Sequence, residues 1–139
     1  AEGDFANQKK VGVWKYFSDV DEKLVSEENY KNGLLDGKST TYYIDEGKPF
    51  EVIEYRKGIK NGAWIKYFMD GQIMTRTFYV NGELDGDFVN YDPNGTLIVK
   101  GQYSHGEMDG VWLYYDEKGK LYRKEVYNKG ALVSTEDLD

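Results

Sequence analysis

Short stretches of alternating apolar and polar residues, separated by glycine-bearing pairs, follow one another along the chain. The clearest example runs from Gly62 to Asp85. It opens Gly62-Ala63-Trp64, reaches an aromatic at Tyr67, breaks at Asp70-Gly71, continues from Ile73 to Tyr79 and breaks again at Asn81-Gly82. Alternation with period two marks half-buried strands, and Asx-Gly pairs mark tight turns that need positive φ. The stretch therefore reads as one β-hairpin followed by a junction turn.

The same pattern recurs in register along the chain. Its opening glycines are Gly12, Gly37, Gly62, Gly86 and Gly110, spaced 25, 25, 24 and 24 residues apart, and Tyr30, Tyr55, Tyr79, Tyr103 and Tyr127 close the units. The expected organisation is a partial repeat over 1–11, whose Phe5 sits in the closing place, then five units over 12–36, 37–61, 62–85, 86–109 and 110–133. An acidic tail over 134–139 reads as frayed. Two units depart from the pattern: Asp21-Glu22 stands where a turn glycine belongs in the first, and Ser39 takes the tryptophan place in the second. Of the 16 glycines, all but Gly3 and Gly101 fall on repeat positions. Glycines this frequent would cost a helix about 1 kcal/mol each.

The expected fold is all-β: an elongated single-sheet array of about five antiparallel β-hairpin repeats, each stabilised by its neighbours. With strands about 4.8 Å apart, five units make a twisted ribbon roughly 45–50 Å long. One geometric question stays open at this level. Trp64 and Tyr67 differ in parity, so either a bulge intervenes or both faces of the sheet are aromatic.

Composition narrows the choice of partners. Aromatic residues make up 16% of the chain, enough to supply buried area to a thin sheet without a deep aliphatic core. A net charge of −7 argues against nucleic acid and against an anionic membrane surface. No cysteine is present, which removes thiolate chemistry and leaves the redox compartment open. No apolar run approaches the roughly 18 residues of a spanning helix. A chain starting at Ala1 fits either a trimmed protein or one exported to the cell envelope after signal-peptide removal, so both cytoplasmic and exported locations remain open.

The G-x-W-x-x-Y start, the mid-unit turn glycine, the closing Tyr and the Y-x-x-G-x-x-x-G junction resemble MORN (membrane occupation and recognition nexus) repeats. The junction recurs as Tyr30/Gly33/Gly37, Tyr55/Gly58/Gly62, Tyr79/Gly82/Gly86 and Tyr103/Gly106/Gly110. More closely, the chain resembles bacterial MORN-repeat variants often labelled as antitoxin components, over Phe5 to about Val133. The resemblance implies a hairpin array serving protein interaction or scaffolding, with lipid binding proposed for some members, and it supplies no catalytic residues.

Individual residues carry little catalytic chemistry. His105, the single histidine, precedes Gly106 in a turn slot, and with no Cys it can assemble neither a zinc site nor a nucleophile triad. Asp36, Asp85 and Asp109 share a slot with Asn61 before an opening glycine, which reads as turn chemistry before it reads as a glycosidase pair. Asp19, Asp21 and Glu22 lack the spacing of a calcium loop. No cofactor or metal is expected. Trp14, Trp64, Phe88 and Trp112 form a series that reads first as a stacked core ladder and second as an exposed binding strip. Arg76, Lys100 and Lys124 fall three residues before their closing Tyr and read as a basic row on one face, suited to an acidic partner or simply to solvent.

The functional expectation is a non-enzymatic repeat module for protein interaction or scaffolding, whose partner in the antitoxin-like form is a toxin-like protein. The alternative is an envelope protein whose aromatics hold glycan or choline groups, although choline-binding repeats have a shorter period. Open sheet edges also make edge-to-edge self-association an expectation.

Overall fold

The computed structural model describes residues 1–139. Every regular element is a strand: β1 (Glu2–Ala6), β2 (Lys9–Phe17), β3 (Leu24–Lys31), β4 (Leu34–Leu35), β5 (Gly37–Tyr43), β6 (Lys48–Arg56), β7 (Ile59–Tyr67), β8 (Ile73–Val80), β9 (Glu83–Leu84), β10 (Gly86–Tyr91), β11 (Leu97–Ser104), β12 (Glu107–Tyr115), β13 (Leu121–Asn128) and β14 (Ala131–Asp137). They form one open antiparallel sheet in chain order, with β4 and β9 as short pieces beside β3 and β8. The all-β hairpin array expected from the sequence is what the chain adopts. Twelve strands lie on the main path, which gives a ribbon roughly 53 Å across its strands.

The junction turns explain the recurrent Xaa-Gly pairs. Both central residues take positive φ at Asn32-Gly33, Lys57-Gly58, Asn81-Gly82, His105-Gly106 and Lys129-Gly130, the conformation of a type I′ turn. These turns are also tied to the preceding unit. The turn-glycine N–H groups donate to carbonyls one unit back, as Gly82 does to Lys60 at 2.8 Å and Gly106 to Leu84 at 2.7 Å. The residue before four of the five opening glycines adds a second tie: Asp36 accepts from Lys57 N–H at 3.2 Å, Asn61 from Asn81 N–H at 3.0 Å, Asp85 from His105 N–H at 3.4 Å and Asp109 from Lys129 N–H at 3.5 Å.

Inside the units, Asp92 and Asp116 each accept two loop N–H groups through one carboxylate oxygen, closing the Asn94-Gly95 and Lys118-Gly119 loops. The first unit has no glycine there, and Glu22 itself adopts the positive-φ conformation at 57°. Its loop closes with Ser18 N–H donating to Lys23 O at 2.9 Å.

Both faces of the sheet are aromatic, and this settles the parity of Trp64 and Tyr67. The register shift lies in the return strand: Lys66 pairs with Thr75 and Tyr67 with Ile73, leaving Met74 as the extra residue while β7 alternates without interruption. Lys66 Nζ lies 5.2 Å from the Trp64 ring centroid, so these two share a face. Tyr67 points to the other, where it borders Pro49 and Val52.

With no second layer, little of the chain is enclosed, and only 4 of 139 residues are buried. They lie in one cross-strand row on the tryptophan face: Trp14, Thr77, Gly101 and Trp112. From Trp64 to Trp112 the row alternates bulky and small residues in register, with Trp64 paired to Thr77, Phe88 to Gly101 and Gly101 followed across the next pair by Trp112. Gly3 and Gly101, the two glycines off the repeat pattern, lie beneath indoles. A Cβ on Gly3 would fall 2.3 Å from Trp14 Cδ2, and one on Gly101 would fall 2.2 Å from Trp112 Cδ2.

The C-terminal expectation needs correction. Residues 134–137 are not a frayed tail but the end of β14, paired with β13 from Asn128↔Ala131 to Arg123↔Asp137. Arg123 Nε donates to Asp137 Oδ1 at 2.7 Å, and Leu138 N–H donates to Tyr122 O at 2.8 Å.

Candidate functional site

The tryptophan series and the basic row occupy opposite faces. On the first face, Trp14 is 7% exposed and Trp112 2%, whereas Trp64 and Phe88 are half-buried. Each indole N–H is satisfied: Trp14 donates to Asp4 O at 3.1 Å, Trp64 to Glu51 Oε2 at 3.0 Å and Trp112 to Gln102 O at 3.2 Å. Ser39, paired with Ile53, interrupts the bulky series, so the aromatics gather in separate clusters. Phe5, Trp14 and Tyr30 form one, Trp64 and Tyr79 a second, and Phe88, Tyr103, Trp112 and Tyr127 the third. Trp14 and Trp112 thus offer packing more than contact area.

On the other face, cross-strand pairing sets Ile65 beside Arg76, Arg76 beside Val89, Val89 beside Lys100, Lys100 beside Leu113 and Leu113 beside Lys124. Strand alternation brings these residues together because, in the last three units, the basic residues hold one slot of the return strand and the aliphatic residues the facing slot of the outgoing strand. Arg76 and Lys100 are exposed, Lys124 and the three aliphatic residues half-buried. None of the three cations lies within ion-pair distance of a carboxylate. Asp87, Lys100, Gln102, Val111 and Leu113 border one shallow depression on this face. The sequence reading found the cations but missed Ile65, Val89 and Leu113, whose common place three residues after each opening glycine was the available signal.

The remaining candidates are accounted for locally. His105 is a turn residue with its side chain 84% exposed, and its Nδ1 lies 3.6 Å from Glu83 Oε2. Asp36, Asp85 and Asp109 serve the junction turns. Asp21 is held below the usual carboxylate range, first by the Ser18 hydroxyl, then by Lys23 N–H. Lys23 in turn bridges Asp21 at 3.5 Å and Asp45 at 2.7 Å. No group of three or more His, Asp or Glu side chains converges as metal ligands would.

The two most regular hairpins have a counterpart among known families. Residues 84–105 and 108–129 each match the family model described as MORN repeat variant. No curated protein matches the chain. The matched windows begin at Leu84 and Met108, both two residues before an opening glycine, and end on the turn residues His105 and Lys129, so each spans one complete hairpin with its closing Tyr. These two hairpins are therefore similar to MORN repeats of the variant type.

Proposed function

We propose that this chain is a non-enzymatic interaction module whose aliphatic and basic face binds an acidic segment of another protein. MORN repeats form modules commonly used in protein or membrane-lipid interaction. The observation that carries the proposal is the row Ile65, Arg76, Val89, Lys100, Leu113 and Lys124, with its cations free of ion pairs in a chain of net charge −7. Cations on alternate strands recur roughly every 10 Å. A helix lying across the strands presents side chains seven residues apart at about 10.5 Å. An amphipathic helix with acidic residues at that spacing and apolar residues between them therefore fits the row. In the form implied by the resemblance to antitoxin-labelled MORN-repeat variants, the acidic segment belongs to a toxin-like protein.

The test is capture from cell extract by the intact protein and by an Arg76→Glu/Lys100→Glu/Lys124→Glu variant whose strand content is checked by circular dichroism. At about 1 kcal/mol for each lost charge-assisted contact, the variant should bind the captured protein roughly a hundredfold more weakly. Equal capture by both proteins, or binding of the intact protein to anionic vesicles with no protein captured, would refute the proposal.

A further inference from the structure

We propose that Trp14, Tyr16 and Tyr30 form a binding site for methylated or quaternary ammonium groups, which the chain fills in cis with its own Lys10. This goes beyond the protein-binding reading, because the site lies on the tryptophan face and involves none of the basic row. Lys10 Nζ lies 4.5 Å from the Trp14 ring centroid, 5.0 Å from Tyr30 and 5.4 Å from Tyr16. Three aromatic rings around one cation are the arrangement that recognises methylated ammonium ligands.

The polar groups of the site are organised around the same charge. Lys10 Nζ donates to the Tyr16 hydroxyl at 2.9 Å. The Tyr16 and Tyr30 hydroxyls are 3.1 Å apart, and the Tyr30 hydroxyl donates to Glu28 Oε2. Since Tyr30 gives its proton to Glu28, Tyr16 is the donor between the two phenols. The cation and the carboxylate are therefore linked through two hydroxyls, and Glu28 supplies negative potential beside the rings.

The repeat lattice offers this combination once. The slot two residues before the opening glycine holds Lys10, Leu35, Lys60, Leu84 and Met108, and the slot four residues after it holds Tyr16, Thr41, Lys66, Asn90 and Tyr114. Only the first unit joins a lysine, a tryptophan and two tyrosines. At Lys60 the ammonium reaches a single ring, that of Tyr79 at 5.1 Å. Structural packing does not require a cation in this slot, because Leu84 and Met108 fill it in the two most regular units.

A primary ammonium can be replaced here by a bulkier, more weakly hydrated one, which loses less hydration on entering the rings. Lys10 opposes entry as a tethered competitor, at an effective concentration of roughly millimolar. Two sources supply the ligand chemistry, choline-type headgroups and methylated lysine side chains.

The experiment titrates choline and, separately, Nε-trimethyl-lysine into the isotope-labelled intact protein and its Lys10→Gln variant, following the Trp14 indole N–H by NMR. The ligand with the lower Kd identifies the source. Both proteins should show a saturable shift, with Kd about tenfold lower in the variant, where the tethered competitor is gone. In the intact protein, the ring-shifted Lys10 εCH2 signals should move to free-lysine positions as ligand saturates, a readout that stands even if the variant fails to fold. Neither ligand moving these signals would overturn the proposal. So would an equal response to 3,3-dimethylbutanol, the neutral isostere of choline.

Discussion

Replacing Gly101 by Ala tests whether the buried row sets the packing of the sheet. The added Cβ would fall 2.2, 2.4 and 2.6 Å from Trp112 Cδ2, Cε2 and Cε3, where carbon atoms ordinarily meet at about 3.5–4.0 Å. The indole cannot withdraw freely. Phe88 and Tyr103 stand 5.3 Å from it, centroid to centroid, Tyr127 stands at 6.4 Å, and its N–H is bonded to Gln102 O. Gly101 lies outside the positive-φ region, so alanine there carries no backbone penalty and would by itself stabilise by about 0.4–1 kcal/mol through the unfolded chain. Overpacking costs about 1–3 kcal/mol, which centres the net loss on roughly 1.3 kcal/mol. Guanidinium denaturation followed by circular dichroism measures the loss. In a Trp112→Leu background the same change should cost at least about 1 kcal/mol less, because the clash has gone. Equal stability of Gly101→Ala and the intact protein, or a cost undiminished by Trp112→Leu, would refute the packing argument.

Three further outcomes are expected. Thr77 is fully buried and its Oγ1 has no partner, so Thr77→Val should stabilise by about 1 kcal/mol in the same denaturation assay; a loss of that size would contradict the buried, unpaired hydroxyl. Asn61→Ala removes the acceptor for Asn81 N–H and should cost about 0.5–1.5 kcal/mol, with faster amide exchange confined to the Asn81-Gly82 turn and its neighbours. Tyr30, Tyr42, Tyr103, Tyr114 and Tyr127 all have phenol pKa values raised above 10.0, burial being the first cause in each. A folded pKa above the unfolded value contributes stability that is complete below pH 10.0 and lost as pH rises through the folded values. The denaturation midpoint should therefore fall above pH 10, with phenolate absorbance from these residues arriving as the sheet unfolds; uniform titration at the ordinary phenol value without unfolding would contradict this.

The fold was legible in the sequence because one period fixes nearly every turn. Glycine at Gly58, Gly82 and Gly106 marks a conformation other residues adopt at a cost, so those positions were readable one by one. Contacts between units were not legible. The acceptor role of Asp85 toward the His105 turn depends on how adjacent hairpins register, and Asp85 alone suggested only a local turn. Gly3 and Gly101 stood out as exceptions, yet their cause is an indole packed across the strands, which needs the pairing to be seen. The parity of Trp64 and Tyr67 depended on which strand carries the extra residue, and alternation within β7 could not reveal that. The acidic run at 134–139 suggested a frayed tail because its charge was visible and its pairing with β13 was not. On the interaction surfaces, repeated Arg and Lys announced themselves, whereas the aliphatic residues between them and the tyrosines around Lys10 gain meaning only from the faces they share.

The most direct test of the proposed surface is lysine acetylation footprinting of the intact protein, alone and in complex with the protein it captures. Binding on the aliphatic and basic face should protect Lys100 and Lys124, on β11 and β13, while Lys118 and Lys120 in the adjoining loop stay reactive. Protection of Lys60 and Lys66 with Lys100 and Lys124 still reactive would place the partner on the tryptophan face and contradict the assignment.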